Sequence, residues 1–402
     1  MSEVAPFWSR SLVSPMRCML VILAWLLIGL CPSSAFAADA PGTWPRQVTD
    51  LAGRRVRLAA PPQRIFLAQP RQLYSLLTLL DAPVERLAGW AYPLSVFDTA
   101  MAQRLAERWP ALETLPTLSR SSTPDLDTEA LLALAPDLVI FDLSQRSRIE
   151  CSALAGVLDR VGIPYLYTEF NRHPLRDTPD SLRLLGKALG VESRAEAINR
   201  LIRQHLARID RRLTGVERRP EVLISIAPGL KVDCCRTNLG NGLADLVERA
   251  GGRHLAAKVA PVSGATLSKE WVLAHPPEVI LNTAGQWDAG DGVRAGIGVS
   301  ADDIAGDLRH LSETLPGWPH LAAVREGRCY ALWHGFHQGP FGIVALERIA
   351  KWLHPRRFDD LDPDATFATL LNAAGLPPGD GRFWGQLPAM KSLPPTSATR
   401  YD

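Results

Sequence analysis

The chain has 402 residues, the length of two or three domains, and its 47% hydrophobic content is enough to fill their cores, which excludes a disordered chain. Lys plus Arg is 44 and Asp plus Glu is 42, a formal charge of +2 without long runs of one sign, so the dense basic patch of a nucleic-acid binder is missing. Gly 30 and Pro 32 are numerous but aperiodic, and no repeat of solenoid period is present.

In chain order, Arg10 and Arg17 precede an apolar stretch from Cys18 to Leu30, followed by Ala35-Phe36-Ala37. This reads as a secretory signal peptide over residues 1–38, because roughly 13 apolar residues fall short of the ~20 that span a bilayer. Leu30 before Cys31 is not the small residue that a lipid-anchored cysteine normally follows. The expected address is therefore the periplasm, with no membrane insertion after cleavage. Losing Arg10, Arg17 and Glu3 leaves the mature chain nearly neutral.

Val48–Asp50 and Val56–Leu58 around Gly53 predict an opening hairpin, which Pro61-Pro62 stops. Arg64–Ala68 is a short strand, and Leu73, Leu76, Leu77 and Leu80 then recur at helical spacing. Leu87–Trp90 is a strand, Asp127–Leu134 a helix with an Asp cap, Leu138–Phe141 a strand of the kind buried on both faces, Glu150–Val161 a helix and Tyr165–Tyr167 a strand. Strands alternating with helices predict a parallel sheet covered on both sides.

Asp177–Leu189 is a helix ended by Gly190, and Glu192–Leu213 keeps helical spacing through Ile198, Leu201, Ile202, Leu206, Ile209 and Leu213, about 33 Å at 1.5 Å per residue. Its arginines Arg194, Arg200, Arg203, Arg208, Arg211 and Arg212 read as a solvated face. After Pro220 the alternation resumes with strand Val222–Ile226, helices Leu243–Ala250 and Ser268–Ala274, strands Glu278–Leu281 and Cys329–Trp333, and helix Gly342–Leu353. Asp380–Asp402, with Pro388, Pro394 and Pro395, reads as a tail with little core of its own. Of the cysteines outside the signal segment, Cys151, Cys234, Cys235 and Cys329, the favoured arrangement is one structural bridge from the adjacent pair to Cys151 or Cys329.

Pro61-Pro62-Gln63-Arg64-Ile65, Ala135-Pro136-Asp137-Leu138-Val139-Ile140, Gly242-Leu243-Ala244-Asp245-Leu246 through Ala250-Gly251-Gly252, and Pro276-Pro277-Glu278-Val279-Ile280-Leu281 stand in order over about residues 45–372. This set resembles the landmarks of periplasmic substrate-binding proteins that serve ATP-binding-cassette importers for ferric siderophores, haem and vitamin B12. Trp333-His334 and Ala350-Lys351-Trp352-Leu353-His354-Pro355 resemble its iron-chelate branch. The resemblance implies an α/β fold of two Rossmann-like lobes with parallel-type sheets, residues 39–190 and 216–374. One long rigid helix at 191–215 joins them, a Pro-rich tail follows at 375–402, and the ligand cleft lies between the lobes. It further implies an inner-membrane permease as partner and no cofactor of the protein's own.

Ligands of open parallel sheets sit beyond the carboxyl ends of the strands. That rule selects Arg71 beside Gln69, Trp90, Tyr92, Arg146 and Arg172 in the first half, and Arg236 beside Lys231, Trp287, Trp333, His334 and His337 in the second. Guanidinium groups with aromatic surfaces suit an anionic, partly aromatic Fe(III) chelate. His334 and His337, three apart, can reach one metal ion if the segment turns; otherwise they are loop histidines lining the cleft. The family presents an acid from each lobe to its permease. Here Tyr74, with Gln72 nearby, holds the first position, and Asp245 or Glu248 fits the second. The expected function is capture of a ferric siderophore and its delivery to the importer. Haem or cobalamin binding and a siderophore-handling or sensor role stand as alternatives. An exported enzyme finds no support in G-x-S-x-G, H-E-x-x-H, P-loop or dinucleotide motifs.

Overall fold

The computed structural model describes residues 43–119, 125–230, 234–237, 241–259, 265–288, 290, 292–376 and 379–389. The expected signal peptide, Lys231 and the end of the tail lie outside these residues. Strands β1 (Arg46–Thr49) and β2 (Arg55–Leu58) form the expected hairpin. There follow β3 (Ile65–Leu67), α1 (Leu73–Leu79), β4 (Leu87–Trp90), α2 (Thr99–Arg108), α3 (Thr128–Ala133), β5 (Leu138–Asp142), α4 (Arg146–Cys151), α5 (Ala153–Val161), β6 (Tyr165–Thr168) and α6 (Pro174–Leu189). The four strands β4-β3-β5-β6 run parallel in one sheet. The single helix expected over Glu150–Val161 is two, because Ser152 leaves helical conformation and its hydroxyl caps α5.

Two of the sequence landmarks hold each other. The Asp137 carboxylate accepts from the main-chain N–H of Gln63 (2.7 Å) and of Arg64 (2.8 Å), while the Arg64 guanidinium donates to the carbonyls of Leu134 and Ala135. The charged turn before β5 is thereby fastened to the entry of β3, which sets the register of those two neighbours. Glu278 does the same work later in the chain: its N–H donates to the Glu221 carbonyl, and its carboxylate accepts from the Glu221 N–H.

Helix α7 (Glu192–Leu213) buries Ala195, Ile198, Ile202 and Ile209 and packs on α6, on α1 and on the later helix Gly342–Leu353. Its arginine face is solvated as expected, with Arg200, Arg203 and Arg211 exposed, and it also carries surface ion pairs. Arg194 pairs with Asp81 on the first half, and Arg208 and Arg212 both pair with Asp360 on the second. The buried Glu347 carboxylate meets His205 Nδ1 at 2.6 Å. The helix is thus tied by charge to both ends of the molecule.

The second half contains β7 (Glu221–Ser225), β8 (Arg236–Thr237), α8 (Leu243–Arg249), β9 (Arg253–His254), β10 (Ala265–Thr266), α9 (Lys269–Ala274), β11 (Val279–Ala284), β12 (Gly296–Ile297), α10 (Ala301–Thr314), α11 (Ala322–Arg325), β13 (Cys329–Trp333), α12 (Gly342–Leu353), α13 (Pro363–Ala373), β14 (Gly381–Arg382) and β15 (Trp384–Gln386). Its sheet has the order β15-β13-β11-β7-β9, parallel except for β15. Gly251 carries φ +83°, and a Cβ there would come within 2.7 Å of His354, so the chain after α8 passes too close to the end of α12 for a side chain.

Two expectations are corrected. The tail is not free of the core up to Leu387: β15 pairs antiparallel with β13, and Phe383 and Leu387 are buried. The cysteine bridge joins Cys234 to Cys235 itself. Cys151 is exposed at the end of α4, and Cys329 lies buried in β13 with the Asn282 amide donating to its sulfur, so neither reaches the pair. The two sheets also share one apolar core, since Tyr74 of α1 packs against Trp333 and Phe341 of the second half.

Candidate functional site

The carboxyl ends of the two parallel sheets converge. After β3 the chain turns through Gln69, whose side chain caps the turn, and delivers Arg71. The Arg71 guanidinium lies 3.8 Å over the Phe97 ring and donates through Nε to Gln69 Oε1, while Nη1 is buried with no hydrogen-bond partner. Burial pulls its pKa down, opposed by Tyr92, Tyr74 and Asp142. Tyr92, 2% exposed, packs on Phe97 at 5.8 Å, and burial pushes its phenol up to about 12.

From the second half, β13 ends at Trp333 and a tight turn carries His334 and His337. Their rings meet edge to face at 4.4 Å; Trp287 stands 4.9 Å from His334, and Phe97 is nearly parallel to it at 6.5 Å. Both Nδ1 atoms are buried and unpartnered, as is the Trp287 indole nitrogen. Burial holds His337 down at about 3, and burial, His337, Arg71 and Arg236 hold His334 well below its ordinary value. Both imidazoles are therefore neutral at neutral pH, each with one nitrogen lone pair to accept a hydrogen bond or ligate a metal. Arg71, Tyr92, Trp287, His334, His337 and the nearby charge of Arg236 form one site walled by aromatic rings.

The remaining sequence candidates stand elsewhere or serve the core. Trp90 is buried and its indole N–H donates to Thr117 Oγ1. Trp333, 1% exposed, is wedged among Phe336, Phe341 and Phe383 and donates to Asp98. Arg146 lies on α4, paired with Glu150 and reaching the Ala52 carbonyl, away from the histidine turn. Arg172 lines a separate groove of about 640 Å³ between β1 and α6, whose walls all belong to the first half. For the permease acids, Tyr74 is buried and Glu248 is engaged with Arg219 and the His254 N–H. Asp245 faces His173 at 3.8 Å, and burial raises its pKa against the pull of His173 and Arg176. Among the described residues no group of three or more His, Cys, Asp or Glu is placed to hold a metal ion, and no helix is long and apolar enough to cross a membrane.

Two parallel sheets bridged by one helix, with facing loops at their carboxyl ends, agree with the family model described as periplasmic binding protein, which matches residues 82–333. The chain belongs to the periplasmic binding protein family. This is a family of solute-binding proteins rather than of enzymes. Solved periplasmic binding proteins share the fold. The TroA-like protein FepB from Veillonella parvula superposes with a TM-score of 0.77 at 24% identity, covering 85% of this chain and 100% of its own. A periplasmic heme-binding protein from Pseudomonas aeruginosa gives 0.54 at 20% identity, covering 82% and 100%. The molybdate-bound protein MolA from Haemophilus influenzae gives 0.62 at 18% identity, covering 82% and 97%. No curated protein sequence matched.

Phe97, packed between Arg71, Tyr92 and His334, and Asp98 next to it escaped the sequence reading of this periplasmic binding protein. Asp98 is the N-cap of α2, accepting from the Met101 N–H. An Asp three residues ahead of Met101 and seven ahead of Leu105 is the available signal, but two apolar positions are too few to establish a helix by periodicity.

Proposed function

We propose that this protein captures a metal chelate, specifically an anionic Fe(III) siderophore, between its two halves and delivers it to an inner-membrane ATP-binding-cassette permease. The observation that carries the reading is the Arg71 guanidinium, buried with Nη1 unpaired, beside two neutral imidazoles and the Trp287, Phe97 and Tyr92 rings. A buried guanidinium nitrogen without an acceptor is costly until one arrives, and the rings offer stacking surface to a chelate's aromatic arms. The two histidines supply at most part of a coordination sphere, which suits a metal brought already chelated.

Titration of intrinsic tryptophan fluorescence tests this. The panel is ferric tricatecholate, ferric trihydroxamate, ferric citrate, haemin, cyanocobalamin, molybdate and free Fe(III). Saturable quenching at micromolar or tighter affinity is expected from a ferric anionic chelate, and Arg71→Ala weakens it about 10- to 100-fold, the range for one charged hydrogen bond. Quenching by haemin, cobalamin or molybdate alone moves the ligand to that class. No quenching by any of them overturns the reading.

A further inference from the structure

Asp98 has an unusual position for a helix cap. Capping α2 needs one acceptor, which Ser, Thr or Asn provides at the surface, yet here a carboxylate is 3% exposed with no cation in ion-pair reach among the described residues. Both oxygens are used. Oδ1 accepts from Met101 N–H at 2.9 Å, and Oδ2 accepts from the Trp333 indole N–H at 2.6 Å, a bond between the two halves that spans 235 positions of sequence. The next residue repeats the crossing: Thr99 donates to the Gln286 carbonyl through its N–H at 2.8 Å and its hydroxyl at 3.1 Å. Gly296 of β12 sits against the same carboxylate, where a Cβ would lie 3.6 Å from Oδ2.

The partners of this bond are sequence neighbours of the site. Phe97, which carries Arg71 and stacks on His334, precedes Asp98, and His334 follows Trp333. We propose that Asp98 is a positioning residue for the ligand site: its hydrogen bond to Trp333 sets the distance between the Arg71–Phe97 pair of one half and the His334–His337 pair of the other. Trp333 thereby serves as the anchor of the latch rather than as a stacking surface for ligand. The inference deepens the proposed function and rests on it for the identity of the ligand, while the latch itself is independent of it.

The test uses the mature protein and the variants Asp98→Ala, Trp333→Phe and the double variant. Without ligand, the His334 ring-proton resonance and the amide exchange of Thr99–Arg108 are measured. Both single variants shift the resonance and speed exchange across α2, and the double variant does no more than the more severe single. With ferric tricatecholate as probe, each single variant weakens binding about tenfold, as expected for one hydrogen bond to a charged group. The double variant weakens it by about the same factor rather than by the product. Where Trp333→Phe fails to fold, Asp98→Asn is measured instead of it and of the double variant, since the amide keeps one acceptor for the cap and turns a donor toward the indole N–H: it should shift the His334 resonance as Asp98→Ala does, and a wild-type resonance in it overturns the latch. An unchanged His334 resonance in the single variants, or losses that multiply in the double, overturns the latch. A shifted resonance in the variants, together with a wild-type protein that ignores the ferric probe, leaves the latch standing and counts against the ligand instead.

Discussion

His254 shows how a single buried side chain sets the response to acid. It is fully enclosed, its Nε2 meets Thr237 Oγ1, and burial holds its pKa down at about 4. The folded value lies below the unfolded one, so the unfolded chain takes up a proton that the native state refuses, and stability is lost as pH falls from about 6.5 toward 4. Asp98 and Glu169 act in the opposite direction, since burial raises them to about 6 and about 7 and the native state binds their protons first. Replacing His254 with Asn isolates its share: urea unfolding at pH 7 and pH 5 should show the variant losing about 2 kcal/mol less than wild type, at ~1.4 kcal/mol per pH unit. An equal acid loss in both proteins would remove His254 from the account. At this scale the sequence brings Arg71, His334 and His337 into one neighbourhood, because each follows the end of a strand. It misplaces Trp90 and Trp333, because an aromatic at a strand end reads the same whether it faces the cleft or the core.

Among elements, the parallel strands were legible because runs such as Leu138–Phe141 and Cys329–Trp333 are apolar without interruption, as burial on both faces requires. Helices α2, α10 and α13 were not. The α10 sequence carries the capping box Ser300–Asp303, yet its charged face dilutes the apolar spacing. Strand β15 was hidden for a different reason: Trp384-Gly385-Gln386 is too short to show alternation and is recruited only by the open edge of β13. That pairing includes the Trp333 N–H donating to the Phe383 carbonyl and the Leu387 N–H donating to the Cys329 carbonyl, each at 2.8 Å. Deleting residues 380–402 should lower the unfolding free energy by about 3 to 6 kcal/mol, the burial of Phe383 and Leu387 at 1.5–3 kcal/mol each. A denaturant midpoint that stays in place would show that the strand contributes nothing.

Over the whole molecule, two sheets do not mean two independently folding units. The apolar cluster runs unbroken through Tyr74, Trp333 and Phe341, and α7 is ion-paired to Asp81 at one end and to Asp360 at the other. Thermal unfolding should accordingly be one cooperative transition, with calorimetric and van't Hoff enthalpies equal. Two resolved transitions would mean that the shared core does not couple the halves.

Local chemistry by itself determined the alternation of strands and helices and the long helix 192–213, because each depends on residues within a turn or two of one another, and the order of the local landmarks carried the family likeness. Tertiary structure alone decided which loops face each other, that Cys151 and Cys329 stand apart from the Cys234–Cys235 pair, that the arginines of α7 find Asp81 and Asp360, and that Asp98 reaches Trp333. Those contacts join positions that no periodicity relates. They exist only after the two halves have packed together, and the geometry of that approach is a property of the packed core rather than of any segment within it.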